Sequence, residues 1–339
     1  MLRIGIAGLG FMGKMHFKCY NALDNAKVVA ICDIDERKIT AADGTAGNIA
    51  GTEQPLDLSG IELFADFDKM LAETKLDALS ITLPTYMHRD FTVKALNAGV
   101  NVLCEKPMAM NITECQDMLT AVERTGKFLL IGHCIRFWPE YAKAKQIIDS
   151  GEYGKVSVAT FRRLSLTPTW SWNNWIVNAS KSGGALLDMH IHDSDFVQYL
   201  FGMPKAVNTH GVKGPSGGFD HITTTYVYDD LKLVTAEGGW MMAPGFGFEM
   251  SFNIILEKCT IVYDCKSEPA FKICPKDGDA FTVQLPVGDG YSLEIEHFVK
   301  TIAGEKLLSR TTPKQSLDTI KLILAEKESA QTGKEVTIQ

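Results

Sequence analysis

Short apolar runs of strand length alternate with segments of helical apolar spacing through the first part of this 339-residue chain. The runs fall at residues 4–7, 28–32, 78–83, 100–104 and 128–131. Strands that are apolar on both faces predict a parallel sheet covered by helices on either side. The segments 67–73, 90–98 and 113–125 repeat apolar residues at the spacing of one helix face. The last two run into Gly99 and Gly126, which suit the turn that ends a helix. A first α/β domain with this rhythm is expected over residues 1–125.

Beyond residue 150 the pattern changes. Residues 156–161, 206–211, 223–228, 232–240, 248–256 and 260–263 read as strands, separated by turn chemistry such as Tyr228-Asp229-Asp230. A mainly antiparallel sheet fits this spacing better than further βα units. Helical spacing interrupts it at 185–201 and returns at 293–303 and 314–329. The second domain is expected over 126–339.

Composition adds boundaries rather than chemistry. Hydrophobic residues at 45% and charged residues at 22% are ordinary for a globular chain with a sizeable core. The net charge is −7 and no block of Lys or Arg could neutralise a row of phosphates, so nucleic acid is not an expected partner. No run approaches the ~18 apolar residues needed to cross a bilayer. The N-terminal segment leads into a glycine turn rather than an export signal, and a cytoplasmic protein with no membrane partner is expected. Eight cysteines without a C-x-x-C pair read as reduced core residues.

Three segments carry candidate chemistry. Gly8-Leu9-Gly10-Phe11-Met12-Gly13 follows a strand and precedes a helix-compatible segment, the setting of a dinucleotide fingerprint. Gly8 makes the turn, Gly10 lets the backbone approach a pyrophosphate, and Gly13 lets helix and strand pack closely. Asp33 follows the next strand at the distance where a carboxylate meets the adenosine ribose. NAD is the expected cofactor: Asp33 repels a 2′-phosphate and Ile34 stands where a small or basic residue could accommodate one. Arg37 and Lys38 nearby leave NADP open as a second coenzyme.

The second segment is the strand end Cys104-Glu105-Lys106-Pro107, which puts Glu105 and Lys106 where ligands of open α/β sheets bind. A strand-end lysine without a role is the plain alternative. The third is Gly183-Gly184 followed by Asp188, His190, His192 and Asp195 on a helical pattern. Residues four apart share a face, so Asp188, His192 and Asp195 are expected to line up while His190 points elsewhere. A carboxylate one turn from a histidine can orient the ring as a base. His190 and His192 diverge by about 200° on a helix, which argues against a metal site.

At these segments together the sequence resembles the Gfo/Idh/MocA oxidoreductases, the family of glucose–fructose oxidoreductase and inositol dehydrogenase. The likeness extends to Arg136-Phe137, to Ile148 through Val156, and to Tyr291-x-x-Glu294-x-x-x-Phe298. The resemblance implies a Rossmann domain, a second α/β domain with a large open, mainly antiparallel sheet, and a homodimer or homotetramer. It implies Lys106 and His192 as catalytic residues, Asp188 as their support, Tyr291 near substrate, and a cis Lys106–Pro107 peptide. Pro84 and His88 would line the nicotinamide side. The sequence departs from the family at His190, a position often Gly in relatives, which bears on local packing and substrate shape.

The chemistry implied is hydride transfer between the nicotinamide and a secondary hydroxyl, with His192 as general base. Two alternatives share the fold: a cofactor-sensing regulatory protein, and a glycosidase that uses bound NAD for transient oxidation. A sugar or cyclic polyol is the expected substrate, since Trp170, Trp172 and Trp175 fall in a polar stretch where at least one indole should be partly exposed, ready for a sugar ring. Packing between domains or at an oligomer interface is the alternative for each ring. Arg136 is expected to add polar contacts to the substrate.

Overall fold

The computed structural model describes residues 1–39, 56–230 and 232–338. Residues 40–55, 231 and 339, which fall inside the expected domains 1–125 and 126–339, lie outside the described residues. The chain divides into two compact units. The first comprises Met1–Cys134, Thr169–Trp175 and Asp289–Leu317, and the second comprises Ile135–Pro168, Ile176–Gly288 and Asp318–Gln339.

Among the described residues the first unit holds six parallel strands: β1 (Leu2–Ala7), β2 (Ala26–Cys32), β3 (Glu62–Phe64), β4 (Ala78–Ile81), β5 (Asn101–Glu105) and β6 (Leu129–Gly132). Their order, β3-β2-β1-β4-β5-β6, runs outward in both directions from the central β1/β4 pair. Connections from β1 and β4 therefore leave on opposite sides, and a crevice opens at the carboxyl ends of these strands. This is the expected doubly wound Rossmann sheet. The helix Phe67–Glu73 starts at Asp66, whose side chain accepts the Lys69 N–H, and Ile112–Thr125 starts at Asn111, which accepts the Glu114 N–H. These caps satisfy donors that no helix can pair internally.

The first unit extends past residue 125. Strand β6 pairs with β5, and the helix Gly290–Ile302 packs on the helix Phe11–Asn21. Ile295, Phe298 and Val299 are buried in one cluster with Ile4, Ile6, Phe17 and Tyr20. A strand and a helix from the expected 126–339 thus belong with the sheet of the first unit. Apolar periodicity reveals a helix but not the sheet it covers.

The second unit is built on an eight-stranded sheet of β7 (Val156–Leu164), β8 (Ala206–Lys213), β9 (Phe219–Val227), β10 (Leu233–Gly239), β11 (Glu249–Leu256), β12 (Cys259–Asp264), β13 (Phe271–Pro275) and β14 (Val336–Thr337). The order is β13-β12-β11-β7-β10-β9-β8-β14. Among the described residues only β7 and β10 pair in parallel, so the sheet is mainly antiparallel as expected. Buried side chains alternate along β12, where Cys259, Ile261 and Tyr263 point inward. Tyr141, Phe161, Phe196 and Phe252 pack edge-to-face within this core. The helix Ile191–Phe201 is part of this unit, and the turn before it, Leu186–His190, is π-helical. The continuous helix expected over 185–201 is therefore locally widened, a feature common at functional positions and invisible to a 3.6-residue period. Among the described residues, no helix is long and apolar enough to cross a membrane.

Candidate active site

In the first unit the expected cofactor residues cluster at one edge of the sheet. Gly8 directly follows β1 with φ +92°, a conformation that a side chain would strain, and a Cβ there would lie 2.8 Å from the Thr82 carbonyl oxygen. A methyl group at Gly13 would run into the Gly8 carbonyl. A Cβ at Gly10, by contrast, meets nothing within 4 Å, so this stretch of backbone is open to close approach. Gly10 also begins the helix Phe11–Asn21 with no side-chain cap and no acidic residue in the first turn. Uncapped N–H groups and the positive end of a helix dipole favour an anion, the setting a pyrophosphate requires. Phe11 and Met12 form the half-buried start of that helix.

Asp33 follows β2. Its carboxylate accepts the Leu9 N–H at 2.7 Å and the Asp35 N–H at 2.8 Å, which ties it to the glycine turn. Lys38 Nζ lies 3.8 Å away. Ile34 is exposed, and Arg37 forms a two-point ion pair with Asp35. These residues fit a dinucleotide whose adenosine ribose reaches Asp33.

Pro84 follows β4, and on the same edge Glu105 ends β5 with Lys106 directly after it. The Lys106–Pro107 peptide is cis. Glu105 is buried: its Oε1 lies 2.9 Å from His16 Nε2, and its Oε2 accepts the Lys106 N–H at 3.2 Å. Burial alone would raise the Glu105 pKa, but the His16 hydrogen bond and the neighbouring positive groups outweigh it and hold it below the usual carboxylate range. Glu105 was expected at the cofactor, yet its carboxylate is turned to His16 and the Lys106 backbone.

His16 was missed in the sequence. Its Nδ1 lies 3.0 Å from Ser80 Oγ, which Tyr20 also bonds, so a buried polar chain runs behind the strand end. The signal was a histidine one turn from Gly13 and Tyr20 on the buried face of an otherwise apolar helix stripe. His88 also departs from expectation. Its ring is 1% exposed, with Nδ1 2.8 Å from the Pro107 carbonyl oxygen and Nε2 2.8 Å from that of Leu83, so it is not presented to a cofactor.

In the second unit the helix Ile191–Phe201 is held by two buried ion pairs. Asp193 receives Arg163 at 2.9 and 3.0 Å, and Asp195 receives Arg136 at 2.8 and 2.7 Å. Gln198 and Thr319 complete the second pair. Asp195 therefore does not join Asp188 and His192: it lies on the inward flank of the helix, where Arg136 takes both its oxygens. For the same reason Arg136, expected to contact substrate, is fully buried and committed to Asp195. Asp188 and His192, one wide turn apart, stay half-buried beside neighbours that are almost all buried. Asp220 accepts the Ser216 N–H and hydroxyl and anchors the entry to this helix at Ala185.

His190 faces inward, its Nε2 3.1 Å from Glu326 and 3.2 Å from Thr224 Oγ1. Among the described residues, no group of three or more His, Cys, Asp or Glu is placed to hold a metal ion. Trp172 is exposed while Trp170 and Trp175 are half-buried, matching the expectation of at least one accessible indole. Asn173 and Asn174 next to it both take positive φ. Tyr291 is half-buried at the start of the helix Gly290–Ile302, in the first unit with Lys106.

Comparison with known proteins agrees with this geometry. Residues 2–133 match the model of an oxidoreductase family with an NAD-binding Rossmann fold, and residues 141–262 match the GFO/IDH/MocA C-terminal domain. The D-glucoside 3-dehydrogenase of Escherichia coli is 26% identical over 99% of this chain and 97% of its own length. The NAD-dependent scyllo-inositol 2-dehydrogenase of Bacillus subtilis is 27% identical over 90% of this chain and 87% of its own. Among solved structures, the WlbA dehydrogenase of Bordetella pertussis, in complex with NADH and UDP-GlcNAcA, superposes with a TM-score of 0.81 at 21% identity, covering 100% of this chain and 99% of that one. With both domain models matched in order, the chain belongs to the GFO/IDH/MocA family of NAD-binding oxidoreductases.

Proposed function

We propose that this protein oxidises a secondary hydroxyl of a sugar or cyclic polyol, or reduces the corresponding ketone. The observation that carries the reading is the helix Ile191–Phe201 with the turn before it. Its aspartates 193 and 195 are locked in buried ion pairs, while Asp188 and His192, four residues apart, are only half-buried. Such a pair suits proton transfer: His192 takes the alcohol proton, and Asp188 steadies the ring and the charge it acquires. Lys106, at the strand end, hydrogen-bonds the alcohol oxygen as negative charge develops. Bound NAD supplies the hydride acceptor. Gly8, Gly10, Gly13 and Asp33 hold the dinucleotide, while Tyr291, Trp172 and Trp175 contact the substrate.

The names of the sugar and inositol dehydrogenases among the relatives support a carbohydrate or polyol. So does the exposed indole of Trp172, since indole faces suit the C–H face of a sugar ring. In this reading the protein works in the cytoplasm as a homodimer or homotetramer, with no nucleic-acid or membrane partner. The test is a screen of NAD reduction across cyclic polyols, aldoses and glycosides. Bulk formation of NADH with one class supports the reading. Tight NAD binding without turnover points to a regulatory protein, and glycoside cleavage without net NADH points to a redox-assisted glycosidase.

A further inference from the structure

We infer that His88 is a positioning residue that holds the Lys106 loop against the end of β4. This inference rests on the catalytic role proposed for Lys106. The imidazole bridges two main-chain carbonyls, that of Pro107 directly after Lys106 and that of Leu83 directly before Pro84, each at 2.8 Å. A carbonyl oxygen can only accept, so both bonds form at once only on the protonated ring. Burial lowers the His88 pKa, and the neutral ring donates to one carbonyl while its other nitrogen stays packed 2.8 Å from the second, so one side chain still spans the two strand ends. His88 starts the helix His88–Asn97 and is 1% exposed, which fixes the ring by packing.

The backbone on the other side of Lys106 is held as well. The Lys106 N–H is donated to Glu105 Oε2, and Glu105 is fixed by His16. Lys106 thus projects from a peptide clamped before and after its Cα. One of the two clamps is anchored on the segment that leads to Pro84. A lysine has four rotatable bonds and cannot hold its ammonium in place unless its stem is fixed. A misplacement of about 1 Å can cost on the order of a hundredfold in rate. His88 therefore acts on the reaction through Lys106, without touching substrate or cofactor.

The test is a double-mutant cycle of His88→Leu and Lys106→Met, reading kcat, KM for NAD and NAD affinity by titration. The expected result is that His88→Leu lowers kcat by roughly tenfold to a hundredfold, leaves NAD affinity unchanged, and causes no further loss in the Lys106→Met background. If the losses multiply, or if His88→Leu weakens NAD binding as much as turnover, the positioning role is wrong. If Lys106→Met keeps wild-type kcat, the role of Lys106 itself fails, and the two failures are told apart. Should the leucine variant not fold, His88→Gln, which retains donors at one of the two carbonyls, runs the same cycle with the same outcomes.

Discussion

Gly238 and His190 fit one another: a Cβ at Gly238 would lie 2.7 Å from Nδ1 of His190 and 3.0 Å from its Cβ. The His190 ring therefore has its space because β10 carries no side chain there. Gly238→Ala should destabilise the protein by about 1–3 kcal/mol, the usual cost of overpacking a core. Combined with His190→Gly it should cost less than the sum of the two changes, as coupled neighbours do. Urea unfolding of the four proteins measures this, and strict additivity would show that the two positions do not share the space.

The buried pair of Arg136 and Asp195 should matter for stability rather than for substrate affinity. Arg136→Met leaves a carboxylate with no counter-charge in the core, a change worth about 3–5 kcal/mol. Thermal unfolding reads that loss. A higher KM with normal stability would instead return Arg136 to the substrate.

Lys106→Ala and His192→Ala should each lower kcat by about two orders of magnitude or more, the weight of a positioned acid–base group. NAD affinity should persist and chelators should have no effect. Near-normal turnover in either variant, or activity lost to EDTA and restored by zinc, would refute the mechanism.

Asp33 should make NAD bind more tightly than NADP, because its carboxylate accepts from a ribose hydroxyl and repels a phosphate. Asp33→Ser should narrow that preference by about tenfold or more, the scale of a hydrogen bond to a charged group. Lys38, 3.8 Å from Asp33, is the group that would then favour the phosphate. Titration of both coenzymes decides, and tighter NADP binding by the unsubstituted protein would overturn the assignment.

Acid should weaken the first unit through Glu105, whose folded pKa is depressed. A carboxylate of this kind contributes stability that is fully present above its unfolded value of about 4.3 and is lost as pH falls through the lower folded value. Glu105→Gln should therefore flatten the acid limb of a stability profile taken below about pH 5. An unchanged limb would mean that other groups govern acid unfolding.

Much of the fold was legible because apolar runs report burial directly. The run at 28–32 became β2 and the spacing at 67–73 became the helix Phe67–Glu73. Strand β3, three residues long with two of them exposed, carries no such signal. The glycine turn was readable because a tight turn constrains residue type at fixed spacing, and Asp33 lies beside it, its carboxylate accepting the Leu9 N–H. His88, Arg136 and Asp195 were not, since their partners are backbone carbonyls or side chains distant in sequence. Helical spacing put Asp195 beside His192, and only the packed core shows that Arg136 draws it to the other flank.

The three-residue patch Ile295, Phe298 and Val299 also dictates an order of completion during synthesis. All six strands of the nucleotide-binding sheet emerge from the ribosome by Gly132, yet the helix Phe11–Asn21 keeps an uncovered apolar flank until the helix Gly290–Ile302 is made. Seven of the eight strands in the other sheet, through Pro275, are available sooner. A fragment cut after residue 133 would carry the whole fingerprint but lack part of its own interior. The coenzyme-binding half is thus no detachable cassette: its last wall arrives after most of its neighbour has been made.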